Sequence, residues 1–262
     1  MTNQALHVAR TGLDAQNRRM QVIANNLANV NTTGFKRDRA SFETLAYQQI
    51  VAAGASSSAE NKYATGLNLG TGVSMTGTER IDTQGSITTT GNSLDLAIEG
   101  GGFFQVQMPD GRTAYTRAGN FTLSPEGTVV TGEGLPLQPQ LQVPDGATSL
   151  TVGADGTVTA IVAGESEPTQ LGTVETARFV NPAGLQPIGD NLLVETAASG
   201  APQTGAPGLE GRGSIRSGAL ESSNVNVVEE LVDMIETQRA YEVNSKMIQA
   251  ADEMMKNANQ QF

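Results

Sequence analysis

The stretch that decides the fold is LHVARTGLDAQNRRMQVIANNLANV, residues 6–30 near the start of the chain. One set of its residues is spaced alternately by three and four positions and is apolar except for Gln16: Leu6, Ala9, Leu13, Gln16, Met20, Ile23, Leu27 and Val30. This spacing places one narrow stripe along a helix. Because such a stripe is stable in water only when it is covered, the stretch predicts a helix that requires a partner helix.

A second stripe lies at the other end of the chain. Its residues recur every seven positions: Val227, Met234, Tyr241, Ile248, Met255 and Phe262. Asn226 precedes them and can cap a helix, with Glu229 three residues later. All ten prolines, and all glycines except Gly12 and Gly34, lie between positions 46 and 221. Since proline and glycine interrupt helices, the pattern predicts helical ends and a non-helical middle.

The middle of the chain carries the signals of short strands and tight turns. Pro109, Asp110 and Gly111, for example, separate the strand-like run 103–108 from 112–117. The predicted fold class is therefore α+β, with long N- and C-terminal helices that form a coiled-coil-like helical domain and a central antiparallel all-β domain. We expect the terminal helices within residues 1–36 and 222–262, a connecting segment at 37–75 and the β domain at 76–221.

The charge of the chain bears on its partners. The formal net charge is −11 and the pI is about 4.5, which argues against nucleic acid and anionic lipid as partners. Residues 1–45 carry six basic and three acidic side chains, whereas residues 222–262 carry three basic and seven acidic ones. Opposite charge favours pairing of the two helices, but both charged faces can equally be solvated surfaces.

Targeting signals are missing from the sequence as given. It has no run of about 18 apolar residues, so no membrane span is predicted. Arg10, Asp14, Arg18 and Arg19 interrupt any apolar core of a cleavable signal peptide. General sequence rules alone therefore predict a cytoplasmic protein. The absence of cysteine excludes disulfides and thiolate metal sites.

The residues of common enzymes are scarce. His7 is the only histidine, so neither a metal site nor a nucleophile–base pair can be completed around it. The glycines at 100–102 lack the Lys-Ser/Thr of a phosphate-binding loop and precede a strand rather than a helix. Asp145 and Asp155 lack the alternating ligands of a calcium loop. We therefore predict no catalytic residue, no cofactor, no metal and no enzymatic activity.

Several asparagines lie at the end of the first predicted helix: Asn25, Asn26, Asn29 and Asn31. Asparagine is a weak helix former, so one interpretation is fraying and capping at a helix end. The other is that the amides form hydrogen bonds within a packed helix array and fix its register. The sequence does not decide between them.

Four motifs resemble the bacterial flagellar rod and hook proteins, and together they span nearly the whole chain. They are NNLANVNTTGFK (25–36), LDLAIEGGGFFQV (94–106), YTRAGNFTL (115–123) and SGALESSNVNVVEELVDMIETQRAYEVNSK (217–246). Within that family, the chain length and the segment 47–72 are most similar to the distal rod members. The resemblance identifies segment 37–75 as one that carries a rod-type insertion.

The resemblance implies a function and a set of partners. Subunits of this family form a hollow helical tube, the rod, in which terminal helices line the channel side and β domains form the outer layer. The rod transmits motor torque to the hook and lets export substrates pass. The implied partners are further copies of this chain, proximal rod proteins, the hook protein, the surrounding P and L ring proteins and the flagellar type III export apparatus. The implied location is the periplasmic rod, reached without a cleaved signal peptide, and it replaces the cytoplasmic expectation.

Two sets of residues are predicted to carry assembly. The interface set lies on both terminal helices: Leu6, Leu13, Met20, Ile23, Asn25, Asn26, Leu27, Asn29, Val30, Val227, Leu231, Met234, Tyr241, Ile248 and Met255. The inter-subunit rod segment contributes Tyr47, Ile50 and Tyr63. The alternatives are a proximal rod protein of the same family, a fibre or adhesin with a coiled-coil stalk, and an enzyme with clustered acidic residues in a cleft.

Overall fold

A computed structural model describes residues 2–55, 63–163 and 167–260 of the chain. The chain divides into two compact units. Unit 1 consists of Met1–Leu27, Asp38–Glu79 and Asn226–Phe262, and unit 2 consists of Ala28–Arg37 and Arg80–Val225. Each unit is thus assembled from stretches that are far apart in the sequence.

Unit 1 contains both helices, α1 (Thr2–Ala28) and α2 (Val227–Gln260). The backbone N–H of Val228 donates to the Oδ1 atom of Asn226 at 3.1 Å, which confirms Asn226 as the predicted cap of α2. The unit also contains the strands β1 (Asp38–Thr44), β2 (Tyr47–Val51), β3 (Leu67–Gly70) and β4 (Val73–Arg80). Strand β1 pairs with β4, and β2 forms an antiparallel hairpin with β3.

Unit 2 is a body of short strands. They are β5 (Ile87–Thr89), β6 (Leu96–Glu99), β7 (Phe103–Gln107), β8 (Thr113–Thr116), β9 (Thr122–Leu123), β10 (Val129–Val130), β11 (Leu137–Gln138), β12 (Ala147–Val152), β13 (Thr157–Val162), β14 (Thr169–Thr173), β15 (Thr176–Arg178), β16 (Gln186–Gly189), β17 (Leu192–Val194), β18 (Gln203–Gly205), β19 (Ser214–Ser217) and β20 (Ala219–Glu221). The largest sheet has the order β16-β17-β8-β7-β15-β18, with β11 also paired to β7.

The central strand β7 separates two apolar clusters, because successive side chains of a strand point to opposite faces. Phe104 and Val106 belong to the main core, where the rings of Phe104 and Phe121 meet edge to face at 5.2 Å. Phe103 belongs to a smaller cluster with Tyr115 and Phe179. The turn predicted at Pro109–Gly111 is confirmed, since Gly111 has a φ of 84° and the N–H of Met108 donates to the carbonyl of Arg112.

The predicted coiled-coil-like helical domain is wrong. Among the described residues more lie in strands than in helices, and four strands share unit 1 with the two helices. A coiled coil needs apolar residues at its buried seam positions. On α2, however, the fully buried residues with described side chains are Glu230 and Thr237, while Val227 and Tyr241 of the seven-residue repeat are exposed. The repeat is therefore present in the sequence but does not form a coiled-coil seam.

Two negative observations concern the part of the chain that the structure describes. Neither α1 nor α2 is long and apolar enough to cross a membrane. Across residues 2–55, 63–163 and 167–260, no group of three or more histidine, aspartate or glutamate side chains is arranged to hold a metal ion.

Candidate assembly surface

The predicted stripe of α1 is largely covered in the subunit. Ile23 is buried, as are Ala9 and Ala15, while the remaining apolar members of the interface set on this side are half-buried: Leu6, Leu13, Met20, Leu27 and Val30. The hydroxyl of Thr11 accepts a hydrogen bond from the N–H of Val73 at 3.4 Å, so α1 is joined to the start of β4. The covered stripe residues up to Leu27 therefore contribute to the fold of unit 1, whereas Val30 follows α1 and belongs to unit 2.

Helices α1 and α2 meet through polar side chains. Arg19 and Asp233 form an ion pair at 3.3 Å, and the amide of Asn26 donates to the Glu230 carboxylate at the same distance. Asn26 contacts Glu230, and Arg19, which lies earlier on α1, contacts Asp233, which lies later on α2. The two helices therefore run antiparallel. Arg19 and Asp233 are partly solvated, and such a pair contributes about 0–1 kcal/mol.

The asparagines at the end of α1 have different surroundings. Asn26 is buried, donates to the carbonyl of Asp38 and accepts from the N–H of Asp38, both at 2.9 Å. It therefore ties α1 to β1 as well as to α2. Asn29 follows the helix and accepts a hydrogen bond from the Thr32 hydroxyl at 3.1 Å, as expected for a helix-terminating turn. The side chain of Asn25 is exposed.

One exposed apolar surface of unit 1 lies on α2. It consists of Val228, Leu231, Val232 and Ile235, which are 43–70% exposed, and we call it the exposed α2 face. At 3.6 residues per turn, these side chains cover about 100° of the helix and lie opposite Glu230 and Thr237. Val243, Met247 and Met254 are also exposed farther along α2, on a side rotated by roughly 90° from this face. In its first turns, α2 thus has one side packed against its own chain and a second, apolar side in solvent.

Sequence reasoning identified only part of this surface. Of the predicted α2 residues, Val227, Leu231 and Tyr241 are exposed, whereas Met234, Ile248 and Met255 are half-buried on the inner side. Val228, Val232 and Ile235 were not predicted. Their spacing of i, i+4 and i+7 is a helical signal that could have identified them.

A second exposed apolar surface lies on the hairpin of β2 and β3. Tyr47 is 64% exposed, and Ile50, Tyr63 and Leu67 are also exposed. Backbone hydrogen bonds from Gly54 N to Tyr63 O and from Tyr63 N to Ala55 O, both 2.9 Å, hold the two sides of the hairpin together. The predicted rod segment also includes residues 56–62, which lie outside the described residues. Leu67 was not predicted.

Both exposed surfaces are suited to association with another protein. Their exposed side chains are aliphatic or aromatic, and covering such surface in a complex contributes about 25 cal/mol per Å². An exposed apolar helix face beside an already packed one is typical of a helix that is completed by another protein.

Three family models match the chain. The model "Flagella basal body rod protein" matches residues 6–36, the model "Flagellar hook protein FlgE/F/G D1 domain" matches 97–160, and the model "Flagellar basal body rod FlgEFG protein C-terminal" matches 216–261. The first and third matches include most of α1 and α2, and the second covers strands β7 to β12 with parts of β6 and β13.

Individual relatives are similar in sequence to this chain over nearly its whole length. The flagellar basal-body rod protein FlgG of Buchnera aphidicola subsp. Acyrthosiphon pisum is 50% identical over 98% of both chains. FlgG of Caulobacter vibrioides is 45% identical, also over 98% of both. The rod protein FlgF of Caulobacter vibrioides is 36% identical over 98% of this chain and 96% of its own. Identity to the FlgG proteins is thus higher than to this FlgF protein, and the chain belongs to the FlgG family of flagellar basal-body rod proteins.

Proposed function

We propose that this chain is a structural subunit of the distal rod of the flagellar basal body. In this proposal many copies polymerise into a rigid, hollow helical tube that transmits motor torque to the hook and lets export substrates pass. The observation that carries the proposal is the exposed α2 face, because a soluble subunit with a second apolar helix face gains free energy when another copy covers it. A head-to-tail contact that does not close into a ring generates a helical polymer.

We assign a separate role to each part of the chain. The terminal helices within 1–36 and 222–262 form the inner, channel-side assembly layer, and the β domain at 76–221 forms the outer layer. Segment 37–75, with its rod-type insertion, contacts neighbouring subunits through Tyr47, Ile50 and Tyr63. The exposure of these three side chains supports their assignment, since they are available to a neighbour.

The partners and the location follow from the family. Rod and hook proteins assemble into one flagellar axial structure, so other rod proteins and the hook protein are the nearest partners. We further propose contacts with the P and L ring proteins, export by the flagellar type III apparatus without a cleaved signal peptide, and residence in the periplasm. The role is structural and requires no enzymatic activity.

The exposed α2 face provides the test. We expect the double variant Val232→Ser/Ile235→Ser to keep the circular dichroism and melting temperature of the parent, because substitutions at exposed positions change stability by about 0.5 kcal/mol or less. Polymerisation of the purified protein should fail, or need at least a tenfold higher concentration, since about 1.4 kcal/mol of lost contact energy corresponds to a factor of ten. Sedimentation and negative-stain electron microscopy would measure the tubes.

The matched control is Val180→Ser, which removes an apolar side chain that is 80% exposed in unit 2. This variant should form tubes at the concentration of the parent. Tubes of the Val232→Ser/Ile235→Ser variant at the parent's concentration would contradict the proposal that this face carries assembly.

A further inference from the structure

Unit 2 contains a buried ion cluster of Lys36, Arg117 and Glu221. The ammonium group of Lys36 lies 2.5 Å from Oε1 of Glu221, and Nη1 of Arg117 lies 3.1 Å from Oε2. All three residues are buried, with Glu221 only 1% exposed. One carboxylate thus faces two cations in the interior of unit 2.

Besides Arg117, three distant stretches of chain meet at the cluster. The N–H of Gly34 donates to the backbone carbonyl of Glu221 at 2.8 Å, and the N–H of Gly85 donates to its Oε1 at 2.9 Å. Lys36 also donates to the carbonyl of Thr83 at 2.8 Å. Segments 34–36, 83–85 and 221 are therefore joined through a single glutamate.

Asn224 strengthens the same junction. Its Oδ1 accepts from the N–H of Arg37 at 2.7 Å, and its Nδ2 donates to the carbonyl of Ile81 at 2.8 Å. The segment that follows α1 and the segment that precedes α2 are in this way hydrogen-bonded side by side within unit 2.

The cluster unites three of the motifs that the sequence analysis singled out. Lys36 ends the motif 25–36, Arg117 lies in the motif 115–123, and Glu221 lies in the motif 217–246. The proposed assembly surfaces use none of these three residues. Their meeting gives the three motifs a shared physical role.

Burying these charges costs free energy, which offsets much of the stability that their ion pairs contribute. Loss of water lowers the pKa of Lys36 and of Arg117, although the nearby Glu221 and Asp82 carboxylates oppose this effect. Nε of Arg117 is buried without a hydrogen-bond partner among the described residues. Apolar residues of similar volume often stabilise a protein as well as a buried ion pair does, whereas buried ions can specify one arrangement over others.

We propose that Lys36, Arg117 and Glu221 are positioning residues for assembly: they fix the register between the segment leaving α1 and the segment entering α2. This inference rests on the proposed function. A slip of one residue at 221 would place Leu220 or Ser222 opposite the two cations, because neighbouring residues of an extended chain alternate between faces. Two buried cations would then lack a counter-charge, so only one register is tolerated. The segment that follows α1 and the segment that precedes α2 are thereby held in one register within unit 2.

The decisive variant removes the charges and retains the bulk: Lys36→Met/Arg117→Met/Glu221→Gln. We expect it to melt within a few degrees of the parent, because it leaves no unpaired charge and its new side-chain amide oxygen still accepts from the N–H of Gly85. The amides of Gly34 and Gly85 should nevertheless exchange their hydrogens at least tenfold faster, while that of Phe104 in β7 stays unchanged. Polymerisation should require at least a tenfold higher concentration. If the cluster only stabilised the fold, the exchange rates and the concentration needed for polymerisation would change no more than the melting temperature does.

Two further variants complete the test. Lys36→Met, which retains the Arg117–Glu221 pair, is measured in the same way if the triple variant does not fold, and we expect the same direction of change. The control is Asp110→Asn/Arg112→Met, which removes an exposed ion pair of unit 2 and should match the parent.

The outcomes separate this inference from the proposed function. Parent-like exchange at Gly34 and Gly85, or parent-like polymerisation of a folded variant without the charges, would overturn the positioning role. If the parent itself formed no tubes, the proposed function would fail, and the exchange measurement alone would still decide whether the cluster fixes the register.

Discussion

At the scale of single residues, buried polar side chains connect segments that are far apart in the chain. Asn26 joins α1 to β1 and α2, and Glu221 joins three stretches of unit 2. A buried polar group costs free energy unless its hydrogen bonds are made, so each of these residues tolerates only a narrow set of surroundings. Such residues define the arrangement of the chain more strictly than an apolar contact of the same size.

Tyr115 provides a pH prediction at this scale. Burial, with a smaller contribution from Glu195, raises the pKa of the Tyr115 phenol from 10.0 to about 12. The folded state therefore keeps this proton over a range in which the unfolded state loses it. The contribution of Tyr115 to the free energy of unfolding is unchanged below pH 10.0, and it falls as the pH rises from 10.0 toward about 12.

The measurement is an ultraviolet titration of the phenolates. In the parent, the Tyr115 phenol should ionise in a late step, at a pH of about 12. The Tyr115→Phe variant should lack the late step and lose less stability with rising pH. Its ring should still pack edge to face against Phe179, 4.7 Å away in the parent. A single titration step that Tyr115→Phe leaves unchanged would show that the phenol is not shielded.

The sequence identifies the role of a residue only when its interaction partners lie nearby in the chain. The turn at Pro109–Gly111 and the cap at Asn226 were predicted because their partners lie within a few residues. Lys36 and Glu221 are 185 positions apart, and no local pattern brings them together. The buried ion cluster was therefore beyond sequence reasoning, even though its members stood in motifs that had been noticed.

At the scale of elements, α2 shows why a repeat can mislead. The seven-residue repeat that begins at Val227 predicted one buried seam, but Glu230 and Thr237 occupy the buried side. Val228, Val232 and Ile235 lie on the opposite side in solvent. Helical periodicity predicts that a helix has faces, whereas the packing partners determine which face is covered. For α2 those partners include polar side chains of α1, which the repeat alone did not indicate.

A glycine between elements of unit 2 allows a close backbone contact. Gly119 accepts a hydrogen bond from the N–H of Leu96 at 2.9 Å, and a Cβ atom at this position would lie 1.6 Å from the Leu96 carbonyl oxygen. We expect Gly119→Ala to lower the free energy of unfolding by about 1–3 kcal/mol or more, because the backbone must move to admit the methyl group. Chemical denaturation would measure the loss.

Gly132→Ala is the matched control, since a Cβ atom there meets nothing within 4 Å. This variant should unfold at the same denaturant concentration as the parent, or at a slightly higher one because alanine restricts the unfolded chain. Equal stability of the Gly119→Ala and Gly132→Ala variants would refute the close contact between Gly119 and Leu96.

At the scale of the whole molecule, each unit draws on separate parts of the chain. The first and last stretches meet in unit 1 together with the strands that follow α1, while residues 28–37 return to the body of unit 2. Composition distinguishes helical ends from a strand-rich middle. It does not reveal which stretches fold together, because those contacts join residues that are distant in sequence. The architecture therefore became clear only in three dimensions.

The last prediction concerns the stiffness of the assembled tube, and it rests on the proposed function. Tyr47 and Ile50 are exposed on the β2–β3 hairpin and are predicted to contact a neighbouring subunit. Contacts of this kind would resist the sliding between subunits that allows a tube to bend. The variant Tyr47→Ser/Ile50→Ser should therefore still form tubes, but tubes with a clearly shorter persistence length on electron micrographs. Gln49→Ser, an exposed polar change on the same strand, should leave the tubes straight. Straight tubes from both variants would mean that the hairpin only spaces the subunits, since loss of its apolar side chains would then leave subunit sliding unaffected.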